Sequence, residues 1–597
     1  MCGIAGIVGL NGAKVPEKNI VTNMLVQLAH RGPDDSGLFY SSNCAIGNTR
    51  LSIIDLKTGH QPISSDNDRF TIVYNGEIYN YKEVRRNLSA SSKVFKTESD
   101  TEVILKGFIL KGVEILNELN GIFSFAIWDK KNKSLFLARD HMGIKPLYYM
   151  KSREHYIFGS EIKAIFASEI CEKQINQEAI PNFFFRQSPD YLQTMYNNIH
   201  ELEPGTWMQI ENNGNFQKGK YFSLENDWKD LVSVVNKNNN VQSFVEDKLR
   251  QSVQRQLVSD VPVGISLSGG IDSSLILNFM CEKYTDQIHA FTYTNSSKGI
   301  NELSKAVSMV KSIDFDINHH VLPPISIDDH LNYFSEACRL LDAPVSYPSS
   351  VPILMISRLA KKKGVKVLLN GQGSDELFLG YERYIRWIKQ GLVYSQNTDE
   401  WANHLYFGMG INNIHHVENL TKYSRDIALE SSVYKWIFDH QELKPLKRMA
   451  IFDQKFRILD LLKRDDRMGM GGSVEIRVPF FDKEMVLSIN ALDDTLKINN
   501  LIQKFILKKI AQNKLPSNIV NAPKMGSPTD IVDWIRTPEF ISVLTKLVSR
   551  KESFSKNFLA YDYVLKIISE HEKTYRFYHL CWCLFSLENW YKASFSD

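Results

Sequence analysis

Cys2 stands directly behind Met1 and in front of Gly3. Removal of Met1 would leave a thiol and a free α-amine on one residue. Such an amine titrates at about pH 8, so part of it is a usable base at neutral pH. A thiolate is the best side-chain nucleophile, and an adjacent base activates it. The chemistry on offer is attack on a carbonyl. A second set lies in VGISLSGGIDSSLILNF, where Ser268-Gly269-Gly270-Ile271-Asp272-Ser273-Ser274 joins an apolar run to a helical one. Paired glycines let the backbone turn tightly. Amides at a helix start cradle an anion, and the serine hydroxyls add donors. Asp272 would repel bare phosphate, which points to a bridging Mg²⁺. The loop lacks the lysine of a GxxxxGK[ST] sequence. A third set, Asn370-Gly371-Gln372-Gly373-Ser374-Asp375-Glu376, follows the apolar run VKVLLN. Its Asp375 can share one metal–pyrophosphate group with Asp272.

Two kinds of architecture must position these groups. Up to about residue 210 the chain shows short apolar runs broken by turns, such as AIGNTRLSIIDL, FTIVYNGEIYN and GIFSFAIWDKKNKSLFLARD. Asp129-Lys130-Lys131-Asn132-Lys133 reads as a hairpin turn, and helices are expected over 20–29 and 101–110. This is an α+β domain on antiparallel sheets, assigned to residues 2–210. Lys237-Asn238-Asn239-Asn240 is the clearest linker. Beyond it, from 240 to 597, strands expected at 261–267, 288–293, 316–322 and 365–369 alternate with helices at 274–283 and 302–313. That alternation marks an α/β doubly wound parallel sheet. In such a sheet the loops gather at the strands' carboxyl ends, where ligands bind. From about Asn370 the chain is mostly helical, and the stretch after about Arg536 reads as packed helices.

With 597 residues the chain should hold at least two domains, since single cores rarely grow beyond about 250–300 residues. The net charge of +3 gives no reason to expect a nucleic acid. No apolar stretch approaches the ~20 residues of a membrane span, and MCGIAGIVGL lacks the basic start of a signal peptide. The seven scattered cysteines form no CxxC, which fits a reducing compartment, and a cytoplasmic location is expected. Lys361-Lys362-Lys363 reads as a solvated helix end before Gly364, and Cys581 and Cys583 as helix-core thiols.

Six segments of the N-terminal half, MCGIAG, HRGPD (His30–Asp34), TRLSIID (Thr49–Asp55), YNGEIYN (Tyr74–Asn80), SDTE (Ser99–Glu102) and ARDHMGIKPLYY (Ala138–Tyr149), resemble a class II glutaminase. SGGIDSS, GQGSDE and RMGMGGSVEIRVPFFD (Arg467–Asp482) resemble an ATP-pyrophosphatase synthetase domain. Together, from Cys2 to about Trp534, the chain resembles the glutamine-hydrolysing asparagine synthetase family. The resemblance implies an N-terminal Ntn-hydrolase sandwich, with layered antiparallel sheets between helices. It makes Cys2 the nucleophile on the glutamine amide, with the Asn75 side chain and the Gly76 amide as oxyanion donors. Arg50 would clamp the glutamine carboxylate, and Asp100 with Glu77 the ammonium. Leu267, Ser268, Gly269, Gly270, Asp272, Ser273, Ser274, Asn370 and Gly371 would bind ATP and its pyrophosphate, Asp272 and Asp375 the Mg²⁺. Lys504, in IQKFILKK, would stabilise phosphate; without the resemblance it reads as an exposed helix lysine. The implied reaction adenylates a carboxylate and passes ammonia to it through an apolar tunnel. The expected partners are glutamine, ATP and a carboxylate acceptor, aspartate in the leading reading, with no nucleic acid and no membrane; a homodimer is compatible.

Two departures bear on the acceptor. The family's second loop reads GEGSDE or GEGGDE, and Gln372 here replaces a glutamate proposed as the base for ammonia addition. A glutamine amide cannot accept a proton at neutral pH, although it can orient ammonia. Gly471-Gly472 stands where relatives carry bulkier residues and is expected to be a flexible stretch near the acceptor pocket. Another carboxylate, such as a uronic-acid sugar, is the alternative acceptor, and a catalytically impaired nucleotide-binding scaffold is a third reading.

Overall fold

The computed structural model describes residues 2–89, 95–238, 240–295, 302–395, 397–407, 414–423, 429–522 and 530–595. The apolar run at the start forms β1 (Cys2–Gly9), buried along its whole length. It is followed by β2 (Asp35–Tyr40), β3 (Cys44–Arg50), β4 (Ile63–Ser64), β5 (Phe70–Ile78), β6 (Gly121–Asp129), β7 (Ser134–Arg139) and β8 (Tyr148–Lys151). Then come β9 (His155–Gly159), β10 (His200–Glu201), β11 (Thr206–Ile210) and β12 (Phe216–Lys220). One sheet has the order β10-β8-β9-β1-β3-β2 and the other β12-β11-β7-β6-β5-β4. All of these pairings are antiparallel. The sheets face each other through Ile4, Val8, Ile46, Val73, Ala126 and Leu137, which share one core. The β6–β7 turn falls at Asp129–Lys133 because Asp129 Oδ1 accepts the amides of Lys131 and Asn132. The expected helices run over Lys18–Val26 and Asp100–Lys111, the second capped by the Ser99 side chain.

The second module carries a five-stranded parallel sheet built from β13 (Val263–Ser266), β14 (Ile288–Tyr293), β15 (Ile317–Leu322), β16 (Val367–Leu369) and β17 (Glu475–Arg477). Its order is β15-β14-β13-β16-β17. From β13 the chain winds outward one way to β15, and β16 returns to β13's other side. The β13/β16 boundary is therefore the switch point, and the loops that leave these two strands lie side by side at the crevice. Both strands are short, VGIS and VLL, and almost wholly buried, as a sheet covered on both faces requires.

Helices cover this sheet and continue to the end of the described chain. Tyr578–Phe595 packs on Ile327–Leu341, buries Cys581 and Cys583, and is pinned by Trp582 Nε1 to Ser346 O at 3.0 Å and Ser586 Oγ to Val345 O at 2.9 Å. The helix Ser350–Lys362 ends in exposed lysines before Gly364, at φ 79°. The expectation of a flexible Gly471-Gly472 is corrected. These residues end the helix Ile458–Gly471 where it crosses Ser350–Lys362. A Cβ on Gly471 would lie 2.5 Å from Leu340 Cδ1, and one on Gly472 would lie 2.6 Å from Ser357 Cβ. Close helix packing excludes side chains there.

Candidate active sites

Cys2 opens β1 and lies directly opposite Arg50 of β3. Its thiol is buried, and burial pushes its pKa up, against the chain's terminal amine and Arg50, which favour the thiolate. Cys2 N donates to Asn75 Oδ1 at 3.2 Å. That bond orients the Asn75 amide, whose Nδ2 donates one hydrogen to Ser124 Oγ at 3.5 Å and keeps the second for another acceptor. Gly76 must be glycine, because a Cβ there would lie 2.1 Å from Ile122 O on the neighbouring strand. Gln61 Nε2 is 3.9 Å from the Cys2 sulfur.

Arg50 is aimed by two carbonyls, Ile54 O at 2.9 Å and Asp55 O at 2.7 Å, both accepting from Nη2. Asp100 and Glu77 are both buried. Asp100 Oδ2 accepts from Tyr74 Oη at 2.8 Å and Ile78 N at 3.0 Å. Burial raises the pKa of Asp100, and burial plus the Asp100 and Glu475 charges raise that of Glu77. Two carboxyl groups so displaced are short of positive charge, which a ligand ammonium would supply. Cys2, Asn75, Gly76, Arg50, Glu77 and Asp100 thus gather where β1, β3, β5 and the start of Asp100–Lys111 meet.

At the switch point, Asp272 sits in the first turn of Ile271–Cys281 and Asp375 in that of Ser374–Phe378. Lys504 Nζ lies between them, 2.7 and 2.6 Å from the two oxygens of Asp272 and 2.8 Å from Asp375 Oδ1. Ser374 Oγ donates to Asp272 Oδ1 at 2.6 Å. Lys504 is only 3 % exposed and adopts φ 51° immediately before the helix Phe505–Ala511. A left-handed, buried lysine is not the exposed helix residue its sequence context suggests. Such backbone strain persists only where its surroundings fix it.

Asp272 and Lys504 line a cleft with Ser268, Gly270, Ile271, Glu302, Lys305, Gly380, Gln503 and Lys508. Gly269, at φ 71°, makes the turn. Leu267, Ser273, Ser274, Asn370 and Gly371 are not among the residues that line this cleft. Leu267 N and O bond inward, to Phe291 O at 2.8 Å and from Thr292 Oγ1 at 2.7 Å. Lys305, Lys508, Glu302 and Gln503 were missed by sequence reasoning. Lys508 was within reach, one helical turn beyond Lys504 in IQKFILKK, whereas Lys305 gives no local signal. Two carboxylates converging on one cation, beside a cleft with loop amides, fit Mg²⁺ held with substrate phosphates.

The second loop's other side meets the helix Ile458–Gly471. Arg464 Nη2 donates to Gln372 Oε1 at 3.2 Å, while Nε and Nη2 donate to Asp465 Oδ1 at 2.9 and 2.7 Å. Asn370 Nδ2 donates to Asp465 Oδ2 at 2.9 Å. Arg464 also lines a small cavity between the modules, with Tyr148, Ile162, Phe183 and Gln193 from one and Leu341, Asp342, Tyr347, Asp460 and Lys463 from the other.

The arrangement has two separate clusters: one around Cys2 in the N-terminal module and one around Lys504 at the switch point of the second. Residues 1–222 match the glutamine amidotransferase domain model, and residues 245–592 match the asparagine synthase model. The chain belongs to the asparagine synthase family. It is 29% identical to asparagine synthetase [glutamine-hydrolyzing] 1 of Bacillus subtilis, covering 96% of this chain and 93% of that one. Asparagine synthetase [glutamine-hydrolyzing] 3 of the same organism is 31% identical, with 92% of each chain covered. A putative asparagine synthetase of Mycobacterium tuberculosis is 30% identical over 91% of this chain and 89% of the relative. Among the described residues no helix is long and apolar enough to cross a membrane.

Proposed function

We propose that the protein transfers the amide nitrogen of glutamine to a carboxylate acceptor at the expense of ATP, yielding AMP and pyrophosphate. In the first half-reaction the Cys2 sulfur attacks the glutamine side-chain carbonyl. The α-amine freed by loss of Met1 takes the thiol proton and returns it to the leaving nitrogen, so that ammonia departs and a thioester remains. The carbonyl oxygen becomes an oxyanion, and Asn75 Nδ2 and the Gly76 amide are the donors that meet it. This role is supported by the Cys2 N to Asn75 Oδ1 bond, which holds that amide beside the nucleophile. Arg50 clamps the glutamine carboxylate, and Asp100 and Glu77 take its ammonium. Water then hydrolyses the thioester to glutamate.

In the second half-reaction an acceptor carboxylate oxygen attacks the α-phosphorus of ATP. Pyrophosphate leaves, an acyl-adenylate forms, and ammonia then displaces AMP to give the amide. Mg²⁺, held by Asp272 and Asp375, would neutralise phosphate charge when bound. Lys504 donates to the phosphate oxygens that gain charge as pyrophosphate departs. Uncharged ammonia, which water would protonate, must pass between the modules, and the apolar side of the cavity there, Ile162, Phe183, Met195 and Leu341, suits that passage.

The convergence of Lys504 on Asp272 and Asp375 at the switch point carries this reading. Aspartate is the acceptor in the leading version, supported by the names of the relatives. Gln372 favours a second version, in which another carboxylate such as a uronic-acid sugar is amidated, because its Oε1 is occupied by Arg464 and its amide supplies no base. The test is formation of AMP and pyrophosphate from Mg-ATP and glutamine, with and without aspartate. Stimulation by aspartate with equal asparagine and AMP supports the leading version. Glutamine hydrolysis without aspartate stimulation transfers the assignment to the second.

A further inference from the structure

Arg31 of the HRGPD segment takes part in no step above, yet it is fully buried and touches both modules. Its Nε donates to the carbonyl oxygen of Cys2 at 3.1 Å. Its Nη1 donates to Glu161 Oε1 and to Asp466 Oδ2, each at 2.9 Å, and its Nη2 to Asp466 Oδ1 at 3.2 Å. The guanidinium is therefore held bidentately by a carboxylate of the synthetase helix Ile458–Gly471. Asp466 also takes Lys145 Nζ at 3.3 Å. Burial opposes its charge, but Arg31 and Lys145 hold its carboxyl below the usual range.

Cys2 needs such a hold. A residue at a chain terminus frays unless its backbone is tied down, and loss of Met1 would leave only its carbonyl side covalently tethered. The Arg31 bond fixes that carbonyl, and with it the direction in which Cβ and the sulfur leave the strand. Glu161 alone does not secure Arg31, since the same Oε1 lies 2.7 Å from Arg467 Nη1 and 3.1 Å from His30 Nε2. Asp466 is Arg31's bidentate partner. The preceding residue, Asp465, meanwhile holds Asn370 of the second ATP loop. Neighbouring positions on one helix thus grip the two active sites.

We infer that Asp466 is a positioning residue for the Cys2 nucleophile, acting across the module boundary through Arg31. The inference rests on Cys2 as the glutaminase nucleophile and is independent of the acceptor. Docking of the synthetase helix then completes the glutaminase site, and the glutaminase module by itself has a poorly directed thiol.

The test uses full-length protein carrying Asp466→Asn. Because misplacement by about 1 Å can cost about a hundredfold, the kcat of glutamine hydrolysis is expected to fall about ten- to a hundredfold. The KM for glutamine should stay within about twofold, since Arg50 and Asp100 are untouched, and ammonia-dependent synthesis should stay within about twofold. Asp466→Glu, which keeps the charge, should fall between the two and carries the same test should the asparagine variant not fold. Wild-type hydrolysis in either variant, or parallel loss of hydrolysis and ammonia-dependent synthesis, would overturn the inference. A Cys2→Ala control that still hydrolyses glutamine would instead sink the reading of Cys2 on which it rests.

Discussion

Replacing Lys504 with Met removes one ammonium and keeps most of the side chain's bulk. Lys504 Nζ is within 2.8 Å of three carboxylate oxygens, and its side chain is 4% exposed against 13% and 15% for Asp272 and Asp375. A charge-assisted hydrogen bond contributes about 1.5–3 kcal/mol, and losing one preorganised donor to a developing oxyanion costs about 2.7–4 kcal/mol in a transition state. Synthesis with either ammonia or glutamine should therefore fall by about 10²–10³-fold. The carboxylates keep some contact with water, so the loss of stability should be smaller than that of a fully buried pair, about 2 kcal/mol. Lys504→Arg should not restore activity. Nζ is enclosed by three carboxylate oxygens within 2.8 Å, a point-charge geometry that a planar guanidinium does not reproduce. Pyrophosphate release and glutamine hydrolysis should be measured on the same preparation. If Lys504→Met releases pyrophosphate within about threefold of wild type, or loses glutaminase in proportion, the assignment of Lys504 to the phosphate site is wrong.

Cys2→Ala should abolish glutamine hydrolysis and glutamine-dependent synthesis while leaving ammonia-dependent synthesis intact; equal loss of both would show that the thiol serves more than the donor half-reaction. If aspartate is the acceptor, Gln372→Glu supplies a missing base and should raise ammonia addition by at least about tenfold, read as aspartate-dependent kcat with ammonia; a fall would show that the amide itself is required. His141 donates from Nε2 to Phe481 O at 2.8 Å across the module boundary, and burial lowers its pKa to about 4. Between about pH 6.5 and 4 the unfolded chain binds a proton there that the folded chain refuses, so stability falls with acid, by about 3 kcal/mol for this group. In His141→Gln the dependence of the urea midpoint on pH should be flatter over that window. Gly472→Ala sets a Cβ 2.9 Å from Ser357 C, so overpacking of about 1–3 kcal/mol should lower the Tm; an unchanged Tm would restore the expectation of a flexible stretch.

The parallel sheet was legible because short apolar runs alternate with helical segments, and three of the four expected strands were shortened by one to three residues at their ends. The two ATP loops were legible as glycine-rich breaks that carry aspartates. Lys504 was legible only through the family resemblance, since a lysine in IQKFILKK by itself gives no sign of its left-handed backbone or its burial between two carboxylates. Gly471-Gly472 misled because pairs of glycines suit flexible turns and close helix packing equally, and only the neighbouring helix distinguishes them.

By itself the sequence determined the chemistry at each end of the protein: a cysteine behind Met1, and glycine–aspartate loops after two strands. Those features are local, set by residue type and by spacing within a turn or strand. The tertiary structure alone decided which distant groups meet, Lys504 with Asp272 and Asp375, Asp466 with Arg31, and Arg464 with Gln372. Each of these meetings spans 92 to 435 positions of chain. They follow from how helices cross a sheet and how two modules dock, and no local pattern encodes that.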